Sequence, residues 1–321
     1  MARPILSAEH FHNEEAAFAF IEARLWPTGP ICPHCGNYDA GKIGQLKGSA
    51  TRIGLRKCYA CRKQFTVKIG TVMESSHFPL RLWLQAIYLL CSSKKGMSTR
   101  QIQRTFQCSM KTAWFLTHRI REAMVDLRIA DGSAGPLGGQ NKVVEADETY
   151  VGGKAKNRKN HIPPKAPVVS LVEREGRVRS FHVADVNGSN LRPIINANID
   201  KLTHVMTDDS PIYPGITKGF AGHSTVNHSA EEYVRLGGFV HTNTIEGYFS
   251  ILKRGVIGVY HHVSQEHLHR YLAEFDFRYN ERVALGVDDL TRADRALVGA
   301  KGKRLTYATS GRGGKGAASL A

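Results

Sequence analysis

His241-Thr-Asn-Thr-Ile-Glu-Gly-Tyr-Phe-Ser-Ile-Leu-Lys-Arg-Gly255 is the stretch from which the rest of the chain can be read. Wound at about 3.6 residues per turn, it places Asn243, Glu246, Ser250 and Lys253 on one polar stripe and Ile245, Phe249 and Leu252 on an apolar face. An acid able to hold a metal and a lysine able to hold a phosphate share that stripe, which suits chemistry on a nucleic-acid backbone. Upstream, Asp147 and Asp208 each close an apolar run that reads as a strand. Two strands and a helix contributing three carboxylates predict an α/β core with its acids gathered around a divalent metal.

Each of these acids also has a simpler explanation. In Val143-Val-Glu-Ala-Asp-Glu-Thr-Tyr150, strand alternation puts Val144, Ala146 and Glu148 on one face and Glu145, Asp147 and Thr149 on the other. Acids are depleted in strands, so Asp147 is either functional or a strand end meeting solvent. Asp208 is followed by Asp209-Ser-Pro, good turn and helix-cap sequence that accounts for either aspartate. Asn243 with Glu246 three residues on has the spacing of a capping box, which would occupy the Glu246 carboxylate locally. Spacing alone leaves these alternatives open.

The remainder of the chain supplies context. Its 321 residues suffice for two or three domains, and no apolar run is long enough to span a membrane. The N-terminus lacks an apolar signal segment, so a reducing cytoplasm is the expected location. Net charge is +16, and between Ala40 and Arg121 sixteen Lys or Arg face a single acid, Glu74. Positive charge so segregated marks a polyanion-binding face.

Cys32-Pro-His-Cys35 and Cys58-Tyr-Ala-Cys61 are separated by 22 residues. Each pair turns two sulfurs toward one ion, and two pairs complete a tetrahedral site, predicting a zinc ribbon. Four cysteines leave no open position for water, so the Zn²⁺ would be structural. Gly54–Cys58 and Gln64–Lys68 read as its short strands. A helix is expected over Glu14–Leu25. Pro79 fits the first position of another, with Leu80, Trp83, Leu84, Ile87, Tyr88 and Cys91 inward. Ser98 and Ser109 would cap two further helices joined by a short turn, a helix-turn-helix-like arrangement. The second of these buries Ala113, Leu116, Ile120 and Ala123 and offers Met110, Lys111, Thr112 and Phe115 for groove contact.

Residues 131–141 form a Gly-rich linker, followed by strand-like runs at 143–150, 168–173, 178–184, 204–207 and 224–226, with a helix between the third and fourth. A helix from Ser264 carries Leu268, Leu272, Phe275 and Tyr279. His261, His262, His267 and His269 are more simply structural or surface residues than ligands. Gly311-Arg-Gly-Gly-Lys-Gly is low-complexity sequence. The expected division is a leader helix (1–30), zinc ribbon (31–72), helical module (75–130), catalytic domain (140–285) and a partly disordered C-terminal tail (286–321).

With these residues in view, the chain resembles bacterial insertion-sequence DDE-type transposases of the ISXO-two-like group, related to the Merlin elements. The resemblance rests on Cys32-Pro-His-Cys-Gly36, Lys94-Lys-Gly-Met-Ser-Thr-Arg-Gln101, Lys111-Thr-Ala-Trp114 and Glu145-Ala-Asp-Glu-Thr-Tyr-Val-Gly-Gly153. Further along it rests on Met206-Thr-Asp-Asp209, Thr242-Asn-Thr-Ile-Glu-Gly247, Leu252-Lys-Arg-Gly255 and Tyr260-His-His-Val-Ser264. One departure is Arg62, where a glycine would follow the second cysteine pair.

That resemblance implies an RNase H-like mixed-sheet core and Mg²⁺- or Mn²⁺-dependent cleavage and strand transfer of DNA. Its acids fall on Asp147, Asp208 and Glu246, with Lys253 and Arg254 beside the phosphates and Lys111 and Thr112 in DNA contact. Some relatives carry Asn as third member, and Asn243 lies on the same stripe. Glu246 is preferred because a carboxylate neutralises metal charge better than an amide. The implied partners are double-stranded DNA, as element ends and target, and further copies of the chain on that DNA. A DNA-binding protein that has lost catalysis and a structure-selective nuclease of the same fold are the alternatives.

Overall fold

The computed structural model describes residues 3–152, 165–226, 235 and 239–306. Helix α1, Glu14–Leu25, starts where the Asn13 side chain accepts the Ala16 N–H, and it buries Ala17, Ile21 and Leu25. The ribbon follows as three antiparallel strands, β1 (Ile43–Gln45), β2 (Arg56–Cys58) and β3 (Gln64–Phe65), in that order across the sheet. β1, which the sequence reading left out, pairs Ile43 with Cys58 and so backs the second cysteine pair.

Helix α2, Leu80–Ser92, buries Leu80, Trp83, Leu84, Ile87 and Cys91. Pro79 is its N-cap rather than its first residue. The orphan N–H groups of Leu80 and Arg81 are taken by the Glu14 carboxylate at 2.7 and 3.2 Å, a cap supplied by α1. α3 (Thr99–Phe106) and α4 (Met110–Met124) begin on the Ser98 and Ser109 hydroxyls as expected. Gln107, at φ 48°, makes the tight turn between them. The short α5, Leu127–Ala130, leads into the 131–141 segment, where Leu137 is buried in the sheet domain and bridges to Ile199.

The second domain holds β4 (Val143–Val151), β5 (Ala166–Glu173), β6 (Val178–His182), β7 (His204–Asp208) and β8 (Gly222–Val226) in the order β6-β5-β4-β7-β8. The first three form an antiparallel meander, while β7 runs parallel to β4 and β8 parallel to β7. This is the RNase H-like mixed sheet. One face packs on α6 (Gly188–Asn198) and the short α7 (Tyr213–Ile216) through Val144, Ala146, Val205, Leu191 and Tyr213. The other is covered by α8 (Asn243–Gly255) and α9 (Gln265–Asn280) through Val168, Val172, Ile245, Phe249, Leu252 and Phe275. Gly255 ends α8 at a close approach, since a Cβ there would meet the Lys95 carbonyl at 2.8 Å.

The expected tail needs correction: residues 289–298 form α10, Asp289–Val298, capped by Asp288. Ala296, Leu297 and Ala300 join α1, α2 and α4 in one apolar cluster, so the presumed leader and tail are parts of the helical module's core. The low-complexity end, 307–321, lies outside the described residues.

The two domains are tied by a buried ionic knot between α4 and α9. Glu274 accepts from Arg121 Nε at 2.6 Å and from the Tyr260 hydroxyl at 2.6 Å, and it pairs with Arg278 on its own helix. Burial opposes the Glu274 charge, but Arg278 and Arg121 outweigh it and bring the carboxyl down to about 2. Its contribution is therefore present above the ordinary carboxylate range and lost as pH falls toward 2. Glu274→Ala should destabilise the chain by about 3–5 kcal/mol, because two buried guanidinium groups lose their counter-charge. Urea unfolding measures this, and a shift no larger than that of a surface substitution would contradict the assignment.

Candidate active site and cysteine centre

The two cysteine pairs meet. Cys32 and Cys61 sulfurs are 3.6 Å apart, those of Cys35 and Cys58 3.8 Å, and all four lie within 4.8 Å of one another. Metal–sulfur bonds of about 2.3 Å in a tetrahedron put sulfurs ~3.8 Å apart, so the arrangement can hold a zinc ion. The backbone N–H of Cys61, and then that of Ala60, point at the Cys58 sulfur and lower its pKa to about 7. Both knuckles close on a left-handed residue, Gly36 at φ 72° and Arg62 at φ 63°. Arg62 occupies, with a side chain, the conformation that the first knuckle gives to glycine. Arg62→Gly should therefore raise stability by about 1 kcal/mol, the order of the left-handed cost for a residue with a Cβ. A urea midpoint that stays put or falls would show that Arg62 repays this cost through its side chain.

β4 places Glu145 and Asp147 on the face covered by α8, as alternation predicts. Parallel pairing runs as far as Glu145 with Met206, and the same register carried two residues further along both strands sets Asp147 level with Asp208, whose charge bears on it. Both aspartates thus stand at one level on neighbouring strands and point the same way. Asp147 is largely buried, and burial first of all pushes its carboxyl up to about 7; the charges of Glu148, Asp208 and Glu246 add to this, against a 2.7 Å bond from the Glu148 N–H. Asp208 accepts the Ser210 N–H at 3.2 Å, the turn role that its sequence offers, at the mouth of the same site. Glu148 projects from the opposite face of β4, where the Tyr213 hydroxyl donates to it at 2.6 Å and burial raises its pKa.

Glu246 does not complete a capping box. The N-cap of α8 is Thr242, one residue earlier than expected, and Glu246 accepts from the Thr242 hydroxyl at 3.2 Å. Asn243, Glu246, Lys253 and Arg254 are exposed and Ser250 half-buried, while Ile245, Phe249 and Leu252 are buried, so the two faces fall as the period predicts. Seven residues of helix set Lys253 ~10 Å along the axis from Glu246.

A carboxylate absent from the candidate set dominates this end of α8. Glu145, fully buried, accepts the Ile245 N–H at 2.9 Å, the Thr244 hydroxyl at 2.9 Å and Arg174 Nε at 2.6 Å. Its sequence signals were a place on the Asp147 face and at the head of the Glu145–Gly153 motif. Among the described residues, the four cysteines are the one group with three or more ligand atoms within 4.8 Å; the three candidate carboxylates are spaced more widely than that. His267 packs against the rings of Trp114 and His118, at 5.4 and 5.2 Å, rather than with the other histidines. In the helical module Met110 and Lys111 are exposed at the start of α4 and Thr112 is half-buried.

Residues 136–280 match the family model described as the ISXO2-like transposase domain, and residues 12–64 that of the transposase zinc-ribbon domain. Comparison with curated proteins found no match. Among solved structures, a pre-cleavage Mos1 transpososome is similar at 9% identity over 67% of this chain and 74% of that chain, with a TM-score of 0.27. The Mos1 strand transfer complex is similar at 10% identity, 70% and 79% coverage and a TM-score of 0.27. The mariner Mos1 paired end complex with Mg gives 12%, 70%, 79% and 0.26.

Proposed function

Because the chain belongs to the ISXO2-like transposases, we propose that it binds the terminal inverted repeats of an insertion sequence and carries out metal-dependent DNA hydrolysis and strand transfer. The observation that supports this reading is that Asp147 and Asp208 stand on adjacent parallel strands, close enough for the charges of Asp208 and Glu246 to add to the raised pKa of Asp147. Asp147, largely buried and facing the charges of Asp208 and Glu246, is costly to ionise unless a cation shares these acids. An all-oxygen donor set suits Mg²⁺ or Mn²⁺. Divalent ions in such a site neutralise the scissile phosphate and lower the pKa of a water.

In this reading Asp147, Asp208 and Glu246 are ligands, not covalent nucleophiles, and Asn243 is the alternative third member. Lys253, two turns along α8, holds a neighbouring phosphate as a point charge, with Arg254 beside it. Cys32, Cys35, Cys58 and Cys61 hold a structural Zn²⁺. Lys111 and Thr112 contact DNA from the start of α4, and the basic stretch from Ala40 to Arg121 supplies salt-sensitive affinity. Joining two element ends to one target requires a site at each end, hence more than one copy on the DNA. No helix among the described residues is long and apolar enough to cross a membrane, and a cytoplasmic, nucleoid-associated protein accords with this reading.

The test uses DNA carrying the inverted repeats that flank the element. With Mg²⁺, the chain should cut at the repeat ends and join a pre-cleaved end to a second duplex. Cutting without joining would favour the structure-selective nuclease, and binding without either reaction a DNA-binding protein that has lost catalysis.

A further inference from the structure

Glu145 has no part in the chemistry above, yet its buried carboxylate accepts from Arg174, Thr244 and Ile245. It lies on β4 two residues before Asp147 and on the same face. Its Oε1 accepts from Arg174 Nε at 2.6 Å and from Thr244 Oγ1 at 2.9 Å, with His241 Nδ1 at 3.3 Å. Its Oε2 accepts the Ile245 N–H at 2.9 Å. Arg174 in turn donates to the carbonyls of Phe239 and His241, both at 2.8 Å. One buried carboxylate therefore fastens the strand that bears Asp147 to the first turn of the helix that bears Glu246. Arg174, next to the end of β5, pins the chain entering that helix.

A buried carboxylate is costly to desolvate, and this one is matched by the positive end of α8 and a guanidinium. The apolar contacts of α8 fix its distance from the sheet but constrain sliding along its axis far less. The grip on Ile245, adjacent to Glu246, supplies that constraint. We propose that Glu145 and Arg174 form a positioning clamp that sets the separation of Glu246 from Asp147 and thereby the divalent-metal affinity of the site. The clamp rests on the metal-dependent reading above. Neither residue touches metal or DNA.

Mn²⁺ binding to the full chain, followed by electron paramagnetic resonance, reads this without reference to activity. Asp147→Ala identifies the Mn²⁺ held at the carboxylates. Glu145→Gln keeps the shape but removes the charge that holds Arg174 and the helix end, and it should weaken that Mn²⁺ by ~10–100-fold, the scale of losing support behind a ligand. Thr244→Val deletes one hydroxyl donor and should weaken it roughly threefold, the worth of a modest hydrogen bond. Leu191→Ala, in the opposite layer, lowers stability and should leave the affinity alone. Unchanged affinity in Glu145→Gln, or an equal loss in Leu191→Ala, overturns the clamp. If Glu145→Gln fails to fold, Thr244→Val decides: a weakened site supports the clamp and an unchanged one overturns it. A wild-type chain with no Mn²⁺ sensitive to Asp147→Ala overturns the metal reading and the clamp with it.

Discussion

Asp147→Asn is expected to abolish end cleavage and, in the same protein without divalent metal, to make the fold more stable. The loss of activity follows from ligand geometry. Asparagine cannot bridge or neutralise a cation as a carboxylate does, and several kcal/mol of lost metal assistance is a rate fall of roughly a thousandfold or more. The gain in stability follows from the raised pKa of about 7, against 3.8 for an ordinary aspartate. The folded chain holds that proton more tightly than the unfolded chain. Stability is therefore lost as pH rises from the unfolded value through the folded one, where a charge is forced into a buried site beside other acids. Removing the charge should return about 1–3 kcal/mol at about pH 8 and much less near pH 4.5. Urea unfolding in EDTA at the two pH values, with cleavage rates alongside, measures both halves. A variant that still cleaves, or one whose gain does not grow with pH, would contradict the assignment.

The second large effect is expected at the cysteines. Native mass spectrometry should find one zinc per chain, lost on Cys58→Ala. The ribbon's own buried cluster is only Cys32, Ile43, Cys58 and Phe65, with Trp26, Cys61 and Ile69 beside it. Its strands of three, three and two residues cannot hold together by pairing alone. A structural zinc contributes on the order of 10 kcal/mol to such a segment, so chelation or Cys58→Ala should unfold it. A ribbon that keeps its protease resistance without metal would refute this.

What could be read in the sequence was what local physics decides. Ser98 and Ser109 cap helices because each hydroxyl needs only a backbone N–H three residues on. The faces of α8 follow from its own period, and the core strands β4 and β5 from runs rich in Val. Features set by distant parts of the chain were hidden. α2 starts on the Glu14 carboxylate and α8 on Glu145, and no local pattern reports a cap supplied from another element. The Asn243–Glu246 spacing suggested a capping box, whereas Thr242 became the cap as the buried Glu145 took up the first-turn donors. α10 carried a readable signal in Asp288, whose side chain accepts the Thr291 N–H at 2.7 Å, but the Gly-rich basic sequence after it made the whole region look like a tail. The nearness of Asp147 and Asp208 is a matter of register between strands 61 residues apart, which spacing does not encode.

The most direct measurement is a crystal of the full chain soaked with Mn²⁺, with anomalous diffraction locating the ion. The account predicts a peak shared by the carboxylates of Asp147 and Asp208, with Glu246 turned toward it from α8. A peak with Asn243 in place of Glu246 would move the third ligand one turn back along the helix. Mn²⁺ absent from the two aspartates, in a crystal where the ion reaches other sites, would contradict the central claim.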